Sequence, residues 1–446
     1  MLLTGGAMLG FHPSLFASLS ILMNASNWEG WRGPGGRGVS DETGFAEEWS
    51  AEKKAEKNIA WKTPIRGRGL SSPIVWGKRV FITTAVEGEK VPGAKPPKHQ
   101  LGGEDFVHPD STGGDRSHEL FVLGIDLESG KVLWESRVHE GTVHDDRHRR
   151  ASYASPTSVA DGERVFSFFG QEGVACHDFD GKLLWKADVG KYGTIGLGVG
   201  SSPVLFDDVL VIQRDGSAPK ESFLVALTAR TGKEAWRVER DVSVSWSTPI
   251  LFRGAGRPEV VTCAMERTLA YDPRTGKELW RARGVEANAI HTPLAGEDFI
   301  VLSAGYPTKR VLALKAGEIK EGEDRLLWEY GRGAAYVISP ILYRGHVYLP
   351  SDGGSLTCFE ARTGKIVYEG KRLPSPNRCT ASPVAFDGKI LITGEDGVTF
   401  VIAAGPEHRV LATNPIGEPV HASLALSQGR ILIRGERHLF CVRKAG

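Results

Sequence analysis

One unit of about 45 residues recurs along nearly the whole chain, and it leaves few folds open. Its clearest copy runs from Ser201 to Trp236. Three short apolar runs, Val204-Leu205-Phe206, Val209-Leu210-Val211-Ile212 and Phe223-Leu224-Val225-Ala226-Leu227, are separated by turn residues. A Thr231-Gly232-Lys233 turn then leads to a fourth run carrying Trp236. Short β-branched or alternating runs bounded by Gly, Asp and Ser read as strands. Four strands in this length is the size of one propeller blade.

A Ser/Thr-Pro anchor opens the unit at Pro73, Pro156, Pro203, Pro249, Pro293, Pro340 and Pro383, and Ser423-Leu424 marks an eighth, degenerate copy. The turn before the outer strand recurs as Ser129-Gly130-Lys131, Asp180-Gly181-Lys182, Thr231-Gly232-Lys233, Thr275-Gly276-Lys277 and Thr363-Gly364-Lys365. An aromatic follows each one: Trp134, Trp185, Trp236, Trp280 and Tyr368, with Trp328 in that role in the fifth unit. The tight turn needs a glycine at positive φ, and a large flat ring seals the gap between adjacent sheets.

The last unit stops after its third strand. Asn58 to Pro64, which contains Trp61, has the missing strand's pattern but lies before the first anchor. Pairing the two would remove every open edge. The expectation is an all-β, eight-bladed β-propeller of four-stranded blades, closed by an N-terminal strand that completes the last blade. Residues 58–446 form it, with an insertion at 86–118 in the first blade. A ring with no free edge is expected to be a monomer.

Ahead of the propeller, residues 27–57 read as an irregular lead-in, glycine-dense from Trp28 to Ser40. Residues 1–26 hold no Lys, Arg, Asp or Glu, and Ser14 to Ala25 is apolar or small. That pattern matches the core of a secretory signal and predicts a periplasmic or extracellular protein. His12-Pro13 interrupts the stretch, so no membrane span is expected. A formal net charge of +1 gives no footprint for nucleic acid.

The pattern Ser-Pro, strand, Gly, Val-Leu-Val, then Ala-Leu-x-x-x-Thr-Gly-Lys-x-x-Trp resembles the quinoprotein-type (PQQ-like) β-propeller repeat. It covers about Trp28 to Val442, and the opening Trp-Arg-Gly-Pro-x-Gly resembles the lead-in of exported PQQ-like proteins. The family includes bacterial dehydrogenases that use pyrroloquinoline quinone (PQQ) with calcium, and BamB-like assembly lipoproteins. The resemblance implies the fold firmly and the activity weakly, because one fold hosts many functions.

The dehydrogenases of that family carry two cysteines adjacent in sequence and a flat floor for the quinone. Here Cys176, Cys263, Cys358, Cys379 and Cys441 all stand apart. Cys176, Cys358 and Cys441 fall in the slot that Gly124, Ala226, Ala270 and Ala313 occupy in other units, so they read as small buried residues. Trp246, entering a first strand near the axis, is the candidate quinone floor, and a plug between blades is its plainer role. No cysteine precedes Cys176, so no lipid anchor is expected.

The non-repetitive equipment is the insertion together with the segment His139–Arg150. Six of the 13 histidines lie between His99 and His148. The loop from second to third strand and the loop to the next blade emerge on one face, so the two segments should meet on one rim. There His108, Asp110, His118, His144, Asp145 and His148 are candidate ligands for a divalent metal. The plainer alternative is a polar lid whose charges pair with one another. The other loops of that face are polar and mixed in sign, which suits a protein partner or a small polar ligand.

Three function classes follow. A non-catalytic binding or scaffold protein needs no bound cofactor. A PQQ-dependent oxidoreductase acting on alcohols or sugars would need PQQ and calcium. Metal-dependent hydrolysis at the histidine-rich rim is the third.

Overall fold

The computed structural model describes residues 27–445, apart from 102, 218, 255, 287, 318–323, 376 and 377. The proposed signal segment, residues 1–26, lies outside the described residues. Eight four-stranded antiparallel sheets follow one another around a hub. Their innermost strands are Ile74–Trp76, Val159–Ala160, Val204–Phe206, Ile250–Phe252, Leu294–Ala295, Ile341–Tyr343, Val384–Phe386 and Ala425–Ser427. The outer strand of the eighth blade is Ile59–Pro64, with Trp61 opposite Cys441 and Pro64 opposite His438. The ring closes as the strand count requires.

The register explains the repeat. In each of seven blades the aromatic of the outer strand faces a small residue of the third strand: Gly124 with Trp134, Cys176 with Trp185, Ala226 with Trp236, Ala270 with Trp280, Ala313 with Trp328, Cys358 with Tyr368 and Cys441 with Trp61. A Cβ on Gly124 would sit 2.3 Å from the Trp134 ring. The seventh blade pairs Val401 with Ala412 instead, and there Phe45 and Trp49 of the lead-in join the core.

Five of these rings also fasten their blade to the next. The indole N–H groups of Trp61, Trp134, Trp185, Trp236 and Trp328 donate to the carbonyls of Leu127, Phe179, Ala229, Pro273 and Ala361 in the following blade, at 2.9–3.1 Å. Beneath the rings lie the turn glycines. A Cβ on Gly130, Gly181, Gly232, Gly276 or Gly364 would meet the indole at 2.5–2.6 Å, and each has φ between 69° and 90°. Glycine is thus required twice over, for backbone sign and for space.

Around the hub, the Ser/Thr before the first strand of each blade forms a belt. The backbone N–H of Ser72 donates to Thr157 Oγ1, Thr157 to Ser202 Oγ, and Ser202 to Thr248 Oγ1. The belt resumes from Thr292 to Ser339, Ser382 and Ser423. This corrects one anchor. In the second blade the belt residue is Thr157, with Ser158 standing where other blades have proline, so Pro156 lies two residues too early. The following proline is tolerated because the innermost strand faces the channel and owes no ladder bond there.

The lead-in is a strap across the hub. Trp28 exchanges backbone bonds with Val75 of the first blade, and the Glu29 carbonyl accepts from Ala160 of the second. Trp31 Nε1 then donates to Thr292 Oγ1 of the fifth blade at 2.7 Å. That contact takes the hydroxyl at which the belt is interrupted. Val39–Ser40 runs parallel to Val384–Phe386 as a fifth, innermost strand of the seventh blade. Glu42 accepts from the Gln428 and Gly429 N–H groups in a first-to-second strand turn of the eighth. Asn27 and Glu42 thus tie the strap to first-to-second strand turns of the first and eighth blades, on the face opposite the insertion.

Candidate functional site

The rim is built from the insertion and the loops that enter the second, third and fourth blades. The second and third strands of the first blade, Arg79–Lys90 and Arg116–Asp126, overrun the sheet into a ribbon. Between them lie a hairpin, His99–Leu101 with Glu104–Phe106, and the short strand Ser111–Thr112. Ser111–Thr112 pairs antiparallel with Arg147–His148 of the loop to the second blade. Insertion and loop therefore share a two-stranded sheet on the rim.

A buried polar lock holds this contact. His99, 5 % exposed, places Nε2 2.9 Å from Asp146 Oδ2 and Nδ1 3.1 Å from Thr194 Oγ1. Thr194 donates to Asp145 Oδ1 at 2.6 Å, and Gly114 N–H donates to Asp146 Oδ1 at 2.7 Å. Burial pushes Asp145 up to about 6. Burial works against the His99 cation, but the Asp146 hydrogen bond and both carboxylate charges outweigh it and hold the imidazole above its usual value. Burial also opposes ionisation of Asp146, and the His99 and Gly114 hydrogen bonds outweigh it in turn.

The six rim candidates divide among separate partners. His108 Nδ1 accepts from the Asp110 N–H. Asp110 pairs with Arg149 at 2.8 Å and faces His148 at 3.4 Å. His118 bonds the Gly113 carbonyl and lies edge-on to Tyr153. His144 pairs with Glu172 at 3.0 Å, and His139 reaches the same carboxylate at 3.2 Å. Asp145 belongs to the His99 lock. Among the described residues no group of three or more His, Cys, Asp or Glu is placed to hold a metal ion.

Sequence reasoning did not single out Thr194, Glu172 or Arg240, which organise the rim as strongly. Arg240 and Asp215 form an ion pair with no exposed side-chain surface. Gln213 Nε2 and the Ser245 hydroxyl both donate to Asp215 Oδ2, and Arg240 Nη2 donates to Thr262 Oγ1. Gln213 lies two residues before Asp215, whereas Arg240 and Ser245 reach it from the outer strand of the blade and from the loop to the next.

Trp246 is half-buried, and its indole N–H donates to Gly198 O at 3.0 Å. It ties together the loops on either side of the third blade. The cavity it lines with Tyr192, Gln213 and Asp215 has a volume of about 10 Å³. A neighbour lined by Asp145, Tyr153 and Glu172 has about 20 Å³. Such spaces suit single waters. All five cysteines are buried and none is in a disulfide, and burial pushes each thiol up to about 12. These residues do not fit a quinone seat around Trp246.

Comparison with known proteins agrees with this geometry at the level of fold. The crystal structure of BamB from Moraxella catarrhalis superposes with a TM-score of 0.53 at 13% identity, covering 81% of this chain and 98% of that one. A europium-containing methanol dehydrogenase gives 0.60 at 12% identity, covering 94% and 91%. A quinohemoprotein alcohol dehydrogenase from Comamonas testosteroni gives 0.60 at 13% identity, covering 95% and 81%. The search of curated proteins finds no match. Among the described residues no helix is long and apolar enough to cross a membrane. The family model described as outer membrane protein assembly factor BamB matches residues 86–218 and 220–445, and with most of its length so matched the chain belongs to that family.

Proposed function

We propose that this protein is an exported, non-catalytic propeller that binds a protein partner across its loop-rich rim. The observation that carries the reading is a prebuilt contact surface. The insertion is fixed to the body by the His99–Asp146 lock and by Asp110–Arg149, while its hairpin turns Leu101 and Val107 outward, 49% and 84% exposed. Apolar side chains on a framework already fixed lose little entropy on binding. The strap is bonded to turns of the opposite face, and the insertion stands on the rim away from it. The family's description as an assembly factor for outer membrane proteins points to a component of that assembly as the partner. The absence of charge in residues 1–26 supports export.

A photo-crosslinking residue placed at Val107 is expected to yield a discrete protein adduct in the cell envelope. The same label at Glu163, in a turn on the opposite face, is expected to yield none. In parallel, purified protein mixed with PQQ and calcium is expected to retain no quinone absorbance after desalting. Retained absorbance with dye-linked oxidation of an alcohol or sugar would overturn the scaffold reading in favour of an oxidoreductase. Equal labelling from both positions would remove the rim from it.

A further inference from the structure

We propose that the hub holds a binding site, beneath the strap, for the amino end of a dipeptide-sized ligand. This site is independent of what the rim binds. In the first, second and seventh blades one residue of the innermost strand gives its hub-facing backbone groups to the strap. Val75 exchanges both bonds with Trp28, Ala160 donates to the Glu29 carbonyl, and Ala385 donates to the Gly38 carbonyl. Leu205 and Leu251 stand at the corresponding position of the third and fourth blades, opposite Leu210 and Val260 as Val75 is opposite Val80. Among the described residues no strap residue bonds the backbone of either. A cavity of about 90 Å³ lies there instead, lined by Leu205 and Leu251 and by Glu29, Trp31 and Gly35 of the strap.

An unfilled strand edge takes a peptide by main-chain hydrogen bonds, and the strap itself makes the step required. From Trp28 to Glu29 it crosses from the first innermost strand to the second, one residue on each. The innermost strands of the third and fourth blades approach to within 8 Å between Cα atoms. Two extended residues span about 7 Å. At about 10–15 Å³ for each water-sized position, the space suits a molecule of roughly six to nine non-hydrogen atoms.

Glu29 sets the charge of the ligand. It is half-buried, and Arg37, the cation whose charge reaches it, pairs with Asp41 at 3.5 Å. Burial pushes the Glu29 carboxyl above its usual range, and the Gly35 N–H and Arg37 offset that only in part. An α-ammonium group would satisfy the carboxylate with a charge-assisted hydrogen bond. In so small a space a free peptide carboxylate would lie close to that of Glu29, so the far end of the ligand is an amide. Val159, Pro203 and Pro249 add apolar wall, which disfavours a second charge.

The test titrates the full chain with glycylglycinamide, a probe of this size and charge, by isothermal calorimetry. Saturable one-to-one binding is expected. Glycolylglycinamide, with a hydroxyl in place of the ammonium group, is expected to bind about tenfold to a hundredfold more weakly, the worth of a charged hydrogen bond. Glu29→Gln is expected to bring both probes to the weaker affinity. A crystal soaked in glycylglycinamide is expected to show it extended along Leu205 and Leu251, with its amino nitrogen at Glu29. Absence of saturable binding, equal affinity of the native protein for the two probes, or water alone in the soaked cavity would overturn the proposal. The two-probe comparison uses native protein and stands even where Glu29→Gln fails to fold.

Discussion

Replacing Gly130 with valine is expected to destabilise the protein by roughly 2–5 kcal/mol, and to do so by opening the seam of the ring. The left-handed backbone costs about 1–2 kcal/mol for a residue with a side chain, and forcing atoms into filled space about 1–3 kcal/mol. Both apply here. Gly130 has φ of 71°, and a Cβ would lie 2.5 Å from the Trp61 ring and 2.7 Å from Thr63 Oγ1. Those two residues belong to the closing strand, and the Gly130 carbonyl accepts from Thr63 at 2.6 Å. Gly77→Val is the matched control: its φ is 54°, yet nothing lies within 4 Å of the new Cβ. Urea unfolding of the two variants should separate the steric part from the backbone part. Equal midpoints would mean that the ring of Trp61 does not secure the seam.

The second large effect is on the rim lock, and it depends on pH. His99 is held above its usual value, so its contribution is full below the unfolded value of about 6.5 and is lost as pH rises through the folded one. Asp145, raised to about 6, acts in the same direction: its contribution is full below about 3.9 and lost as pH rises past 6. Asp146 is held down, so its contribution appears above about 3.9 and is lost as pH falls. The lock is therefore tightest near pH 4 and weakens as pH rises, first through Asp145 between about 4 and 6 and then through His99 above about 6.5. Amide exchange across residues 99–115, corrected for intrinsic rates, is expected to be slowest near pH 4 and to quicken steadily towards pH 8. His99→Ala leaves two buried carboxylates facing each other. Breaking such a pair costs about 3–5 kcal/mol, a rise of more than about a hundredfold in the open fraction. His144→Gln, at a more exposed pair, should leave the profile unchanged. A flat profile in the native protein would show that the lock does not hold the insertion.

The repeat was legible in the sequence because its demands are local. A turn glycine, an aromatic three residues after the lysine and a small residue on the facing strand recur at fixed offsets. The ring closure followed from counting strands, and the slot that Cys176, Cys358 and Cys441 share with Ala226 followed from aligning turns. The meeting of insertion and His139–Arg150 loop on one rim followed from strand direction alone. What escaped is contact between blades. Pro156 passed for an anchor because Ser-Pro looks alike whether or not its serine faces the next blade's hydroxyl. His99 found Thr194, and His144 found Glu172, through loops whose sequences carry no ligand-like spacing. The strap read only as an irregular, glycine-dense lead-in, since nothing in its composition names Thr292 or Val384 as a neighbour.

Pairing Ile59–Pro64 with His438–Arg443 has a cost in time. A ribosome completes the first of these partners roughly 380 residues before the second, and at about 5–20 residues per second the early one waits on the order of 20–80 s. The strap, made earlier still, waits for blades five, seven and eight. Until the last strand emerges, the nascent chain carries an unmatched hydrogen-bonding edge at both ends of an unfinished arc. A single late closure, made once the last strand has emerged, is the order of events that this connectivity favours.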